Sequence, residues 1–301
     1  MIAERLRNLL VCPTCHGALR YTERSASCQQ CERDYPLRAG VPMLIVPESP
    51  FYRAAETDVT AEAAEAATGE RPRDSLPAWL QRLIRPFIEF DPPLTMWTDR
   101  SLFRHLNECT AQMQILNLGA GAGLFDKYLG PHLNLINLDV SLAATNLDAA
   151  ADAHFLPFAD ESLDAVYSNA VLEHVQRPWR VAEEIHRVLR PGGKVFINVP
   201  FLNVIHDTHD YFRFTDKGLE ILFADFEKID GGVSAGPSSF LGPFLISYLL
   251  CFVPGRHLKV LLRRPLSLLA WPLKYLDAPI RRSADLRLTA DAFYFVGVKK
   301  S

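Results

Sequence analysis

The stretch ILNLGAGAGLF, Ile115 to Phe125, joins an apolar run to three glycines at alternate positions, Gly119, Gly121 and Gly123. An apolar run that breaks into glycines reads as a strand turning sharply into the start of a helix. The missing side chains let the backbone approach a ligand there. The pattern alone is weak, because dinucleotide enzymes carry Gly-x-Gly-x-x-Gly at the same place, and here Leu124 stands where the last glycine is required. Asp139 ends a second apolar run, INLDV, twenty residues after Gly119, where a carboxylate can accept from both hydroxyls of a ribose.

Outward from this turn, the chain alternates strands and helices. QILNL, INLDV, LDAVYS and KVFINVP read as strands, and RPWRVAEEIHRVLRPGG as a helix. In that helix Pro178 sits in the first turn, Val181, Ile185, Val188 and Leu189 share one face, and Pro-Gly-Gly supplies the stop. DFEKID and AFYFVGVKK add two strands near the C-terminus. Such alternation predicts an α/β fold with a doubly wound, mostly parallel sheet.

The segments LNLGAGAG, LINLDVS, DAHFLPFADESLDAVYSNAVLEHV and LRPGGKVFINVP, in that order, resemble the class I S-adenosyl-L-methionine-dependent methyltransferases. The likeness is to the type 11 group that includes quinone-biosynthesis enzymes, and it covers roughly residues 112–230. It implies a Rossmann-like seven-stranded methyltransferase sheet. By the same resemblance Gly119, Ala120, Gly121 and Gly123 face the methionine part of the cofactor, and Asp139, with Val140 beside it, holds the ribose. Asp152 and Ala153 sit beside the adenine, and Asn169 lines the methionine side. His174, in LEHV, is counted with these residues and is also a secondary candidate for a base. One position departs from the family: an acidic residue is usual two places before the first glycine, and this chain has Asn117. An amide accepts a bond from the methionine ammonium without a full charge to pair with it. Asp126 is the nearest carboxylate that could compensate.

Four of the six cysteines form two knuckles, Cys12-x2-Cys15 and Cys28-x2-Cys31. This is the spacing of a closed four-thiolate structural zinc site, with no position left open for chemistry. With the tail YPLRAGVPMLI, the module resembles the small zinc-ribbon family that accompanies tRNA and protein methyltransferases as an activating subunit, which implies a protein partner through this module. Cys109 and Cys251 read as ordinary buried cysteines. The expected organisation is a zinc ribbon over 1–47, a linker over 48–75 rich in Ala, Glu, Thr and Pro, and a methyltransferase domain over 76–301. A helical, hydrophobic insertion spans about 236–288.

HDTHDYFRFT, His206 to Thr215, follows the strand KVFINVP at the sheet edge where open α/β folds bind ligands. It resembles an HDYFRFT element in bacterial methyltransferases associated with glycan or secondary-metabolite pathways. In a functional reading His206 or His209 is the general base, oriented by Asp207 or Asp210, while Tyr211 and Arg213 place an oxygen-rich acceptor. In a structural reading Asp210 and Arg213 form an ion pair, Phe212 and Phe214 anchor the loop, and Thr215 caps the next helix. The Asn-Pro-Pro-aromatic signature of amide and base N-methylation is replaced here by SNAVLEHV.

Phe240 to Val253 carries no charge, whereas Arg256 to Arg282 holds seven Lys or Arg against the single acid Asp277. Fourteen apolar residues are short for a bilayer span and suit a buried or an interfacial helix. An interfacial helix over 240–282 would bring peripheral contact with the inner membrane face and a lipid-linked acceptor. A buried cap would leave a small-molecule or glycan acceptor. The net charge of −3 and pI of about 6.3 argue against a nucleic-acid partner. The charged first residues lack a signal-like apolar core, so the expected location is cytoplasmic. Two other functions remain open on sequence: an rRNA or tRNA base methyltransferase, and a non-catalytic scaffold.

Overall fold

The computed structural model describes residues 4–49, 51, 99–142, 144, 146–205 and 207–300. The chain opens with helix α1 (Glu4–Leu9) and four short strands, β1 (Leu19–Tyr21), β2 (Ser25–Cys28), β3 (Asp34–Arg38) and β4 (Val41–Leu44). Helix α2 (Ser101–Asn107) leads into β5 (Ile115–Leu118), β6 (Leu135–Asp139), β7 (Ala149–Ala151) and β8 (Leu163–Asn169). Helix α3 (Pro178–Val188), β9 (Leu189–Pro200), α4 (Asp216–Leu222) and β10 (Phe226–Ala235) follow. An insertion of α5 (Pro237–Cys251), α6 (Arg256–Ala270) and α7 (Asp277–Ile280) precedes β11 (Ala292–Lys299). Most of the expected linker, and the helical approach after it, lie outside the described residues.

The strands join in the order β1-β2-β3-β4-β7-β6-β5-β8-β9-β11-β10. From β4 to β9 neighbours run parallel, and β11 is antiparallel to both β9 and β10. The seven strands from β7 to β10 are the doubly wound sheet that the sequence predicts. All four residues of β5 are buried, as are most of β8, because layers cover both faces of a parallel sheet. The ribbon does not stand apart. β4 pairs with β7 through Met43↔Ala150 and Leu44↔Ala151, so the four ribbon strands continue the sheet to 11.

One local expectation is corrected, and two elements carry irregularities. The glycine turn leads only into a single 3-10 turn, Asp126–Tyr128, since Gly130-Pro131 stops any helix there. The Pro-Gly-Gly after α3 does not end the element in a loop. β9 starts at once with Leu189↔Leu163 and resumes at Lys194↔Ala165, so the four residues between bulge out, with Gly192 at φ +75. α5 also runs through Gly242-Pro243, losing only the bond that Pro243 cannot donate. α5 and α6 pack on each other through Ile246, Leu250 and Ala270, a cluster separate from the main core. Among the described residues no helix is long and apolar enough to cross a membrane.

The largest core cluster runs through both the ribbon and the doubly wound domain, with Leu6, Leu10 and Tyr35 joining Leu156 and Phe158. Phe158 is fully buried and bridges Leu10, and the Val11 N–H donates to the Pro157 carbonyl at 2.9 Å. Phe158→Ala should therefore cost about 3–5 kcal/mol. Calorimetric unfolding should show ribbon and domain still melting in one transition at lower temperature; two separated transitions would show them to be independent units.

Candidate active site and metal centre

Gly119, Gly121 and Gly123 have φ of +76, +53 and +66, in the left-handed region where a side chain is strained. A Cβ on Gly119 would lie 2.2 Å from Val171 Cγ2, in the loop after β8, so this loop closes on the turn. The Gly119 and Ala120 amides donate to the Leu138 carbonyl at 2.8 and 3.1 Å. Asp139 completes the clasp: Oδ2 accepts from Gly121 N–H and Oδ1 from Ser141 N–H, both at 2.8 Å. The turn, the end of β6 and the carboxylate are thus one hydrogen-bonded unit. Val140, just beyond, packs against Met43, Ile45 and Ala150. Asn117 is buried and donates to Asn137 Oδ1 at 2.9 Å, which leaves its own carbonyl oxygen as the acceptor beside the turn.

Asp152 is placed near by, but already engaged. It is 1% exposed, with Oδ1 accepting from the His154 backbone N–H (2.9 Å) and Nδ1 (2.7 Å), and Oδ2 from Ser49 Oγ (2.5 Å). His154 Nε2 accepts from Arg177 N–H at 3.2 Å, which puts the imidazole hydrogen on Nδ1. Burial alone would raise the Asp152 pKa, yet the bonds from His154 and Ser49 outweigh it and hold the carboxyl below its ordinary value. Ala153 is buried beside it. Sequence reasoning missed both Ser49 and His154. DAHFLPF held a visible signal in a histidine two places after the aspartate, whereas nothing local pointed to Ser49. At the tips of β8, β9 and β10, Asn169 accepts from Asn198 at 2.9 Å and donates to Tyr167 Oη at 3.1 Å, and Ser234 donates to Asn198 at 2.6 Å.

In the loop after β9 both readings of HDTHDYFRFT find residues. Asp210 and Arg213 form the structural ion pair, with Arg213 Nη2 also donating to the Val204 carbonyl at 3.2 Å. The Asp210 side chain is 1% exposed and that of Arg213 23%, so the pair frames the loop as in the structural reading. Thr215 Oγ1 accepts from Gly218 N–H at 2.9 Å as the cap of α4, and Phe212 lies 6.0 Å from Phe214. His209 and Tyr211, in contrast, are exposed. His209 Nδ1 lies 3.2 Å from Thr208 Oγ1 and 3.7 Å from Asp207 Oδ1, and its ring meets Phe51 edge-on at 5.7 Å. His174 Nδ1 donates to the His209 carbonyl at 2.8 Å. His206 lies outside the described residues.

Two buried carboxyls went unnoticed in the sequence. Glu173 is fully buried, neither carboxyl oxygen has a hydrogen-bond partner, and burial pushes its pKa up to about 8. Its main-chain carbonyl accepts from Tyr211 N–H at 2.7 Å, tying the two loops together. Asp291, before β11, is pushed up to about 8 by burial and then by Asp277. The signal for Glu173 was one charge within the apolar run AVLEHV.

At the ribbon the four thiols of Cys12, Cys15, Cys28 and Cys31 lie within 4.8 Å of one another. Their closest approaches are 3.4 Å for Cys15–Cys28 and 3.6 Å for Cys12–Cys31. Tetrahedral zinc with Zn–S of about 2.3 Å separates its sulfurs by about 3.8 Å, so the donor set fits that ion. The Gln30 and Cys31 amides point at Cys28 Sγ at 3.4 Å.

A parallel doubly wound sheet with a glycine turn clasped by a carboxylate from the next strand is an α/β arrangement whose ligand crevice lies at the C-terminal ends of the strands. Residues 116–197 match the family model described as a methyltransferase domain. An uncharacterized methyltransferase of Mycolicibacterium vanbaalenii is 36% identical over 98 residues, 29% of this chain and 38% of that protein. The demethylmenaquinone methyltransferase of Renibacterium salmoninarum is 30% identical over 138 residues, 42% of this chain and 56% of that protein. The chain thus spans about two fifths to just over half of these curated relatives. A solved complex of the Haloferax volcanii Trm112 methyltransferase activator with a methyltransferase is similar over 77% of this chain and 98% of that one, at 18% identity and a TM-score of 0.44.

The sign of the Glu173 effect follows from linkage. Its folded pKa of about 8 lies above the ordinary 4.5, so the fold keeps a proton that the unfolded chain has released. That contribution to stability is complete below the ordinary pKa and is lost as the pH rises towards about 8. Glu173→Gln should gain on the wild type across this window, by on the order of a few kcal/mol at its upper end. Melting temperatures taken over that pH range should diverge; a constant difference would place the carboxylate in a solvated or paired state.

Proposed function

We propose that this chain transfers the methyl group of S-adenosyl-L-methionine to an oxygen of a small-molecule, glycan or lipid-linked acceptor. The observation that carries the reading is the Asp139 clasp on a turn of three left-handed glycines, at the C-terminal edge of the sheet and within the matched domain. When bound, the cofactor supplies a methyl group activated by its sulfonium.

The protein's own residues bind, orient and deprotonate. The turn at Gly119, Ala120, Gly121 and Gly123 gives the methionine part close access to the backbone, and Asp139 accepts from the ribose hydroxyls on the lone pairs that its amide bonds leave free. The Asn117 carbonyl and Asn169 serve the methionine side. Asp152 and Ala153 meet the adenine, and the amine takes the place of Ser49 on Oδ2. His174 positions the loop through the His209 carbonyl. His209 is the proposed base at Nε2, its Nδ1 facing Thr208 and Asp207, with Tyr211 beside it to receive the acceptor. Methyl transfer is an in-line displacement, so these groups must present the hydroxyl opposite the departing sulfur. His206 keeps its place as the alternative base. The zinc ion is structural and held by Cys12, Cys15, Cys28 and Cys31. Its thiolates suit a reducing, cytoplasmic compartment, and β1 at the outer edge of the sheet leaves room for a protein partner.

Calorimetric titration of the zinc-loaded protein with S-adenosylmethionine and S-adenosylhomocysteine tests this. Asp139→Ala should weaken both by roughly 10- to 100-fold, the worth of a charged hydrogen-bonding group, and His209→Ala should cut turnover with binding unchanged. A wild type that binds neither ligand would leave the scaffold reading. Ser49→Ala should tighten binding by about threefold to tenfold by freeing Asp152; an unchanged affinity would remove Asp152 from the adenine contact.

A further inference from the structure

The outer side of the helical insertion is the largest exposed apolar feature among the described residues. Along α5 and its C-cap the exposed large apolar residues are Leu241, Phe244, Leu245, Tyr248, Leu249 and Phe252. These are the i, i+3, i+4, i+7, i+8 and i+11 positions of one helix face, the periodicity that normally marks the side turned to the core. The core side of α5 is held instead by smaller residues, Ser238, Ser239 and Gly242, with Ile246 and Leu250. Phe240, Phe244, Tyr248 and Phe252 form a ladder with ring centroids 5.1, 6.2 and 5.3 Å apart. On α6, Leu261 and Leu269 are 71% and 77% exposed. Single exposed apolar residues are ordinary, whereas a contiguous face of this size marks an interaction surface.

Charge selects the occupant. Residues 237–282 hold seven Lys or Arg and one Asp, a net +6 within a chain of −3, so the remaining residues carry −9. Arg256, Lys259 and Arg263 follow the i, i+3, i+7 spacing and so share one side of α6. No carboxylate among the described residues pairs with them, and Arg281 and Arg282 are likewise exposed, lining a cleft with Arg104. A second copy packed symmetrically on this face would set +6 against +6. An anionic lipid surface supplies the opposite sign and repels the acidic remainder of the chain, which orients the molecule. α5 is 15 residues long, about 22 Å, shorter than the roughly 30 Å hydrocarbon core, so it would lie along the interface and not across it.

We infer that the α5–α6 hairpin is a docking surface for an anionic membrane, with the Leu241-to-Phe252 face in the acyl boundary and Arg256, Lys259 and Arg263 on lipid phosphates. The inference goes beyond the methyl-transfer reading and needs neither cofactor nor acceptor. The full-length, zinc-loaded protein should co-sediment with vesicles of phosphatidylcholine and phosphatidylglycerol, and far less with phosphatidylcholine alone. Reversing three charges, in Arg256→Glu/Lys259→Glu/Arg263→Glu, should weaken that binding by roughly 100-fold or more. Phe244→Ser/Tyr248→Ser/Phe252→Ser, all at exposed positions of the α5 face, should weaken it at high salt, where the charge contribution is screened. S-adenosylhomocysteine affinity, measured on the same samples, should be equal throughout, which separates loss of docking from loss of the cofactor site. The inference is overturned if the wild type stays in the supernatant with anionic vesicles, or binds both vesicle types equally. It is also overturned if light scattering shows a dimer that the serine variant converts to monomer.

Discussion

The Asp139 carboxylate is the interaction on which the site depends. Each of its oxygens accepts one backbone N–H, from Gly121 on one side and Ser141 on the other. It therefore sets both the path of the glycine turn and the exit of β6. The turn has little else to hold it. It leads into one short 3-10 turn, so no long helix braces it from behind. Its left-handed backbone is strained for residues other than glycine, and Val171 closes over Gly119 too tightly for any side chain. A charged acceptor is the group that can offset such a conformation, since bonds to an ionised acceptor are about twice as strong as neutral ones.

The second constraint is the shared sheet. A four-thiolate ribbon could have been a bead on a linker, yet β4 is an added strand on β7 and Phe158 carries one core from the ribbon into the domain. This arrangement covers what would be the edge of the parallel sheet, and an open edge is a liability. It also delivers Ser49, just past β4, onto Asp152, so the ribbon and the residues after β7 are physically joined.

What the sequence made legible was local. β5, β6, β8, β9 and β11 could be read because each is a continuous apolar run bounded by Gly, Asp or Asn, and the glycine spacing followed by Asp139 placed the turn and its carboxylate correctly. β7 was missed because three alanines carry little strand preference. The helix expected after the turn failed because Gly130-Pro131 lies too close, a signal that was present and passed over. The β4–β7 pairing and the Ser49–Asp152 bond unite segments about a hundred residues apart, and no local pattern encodes them. In HDTHDYFRFT the ion pair and the cap of the structural reading are present. Asp210 pairs with Arg213, while His209 and Tyr211 remain exposed. Only burial separates the two pairs, and burial is not written in a ten-residue window. Glu173 shows the same limit, because a lone acid in an apolar run signals something without saying whether it is paired.

The most direct test of the central claim is the backbone amide NMR spectrum of the zinc-loaded protein during addition of S-adenosylhomocysteine. If ribose hydroxyls donate to the Asp139 carboxylate, the Gly121 and Ser141 amides that share it should show the largest shifts, followed by Gly119 and Ala120, with the α5–α6 hairpin unmoved. Shifts confined to other surfaces, or none at saturating ligand, would contradict the assignment of this turn as the methyl donor's site.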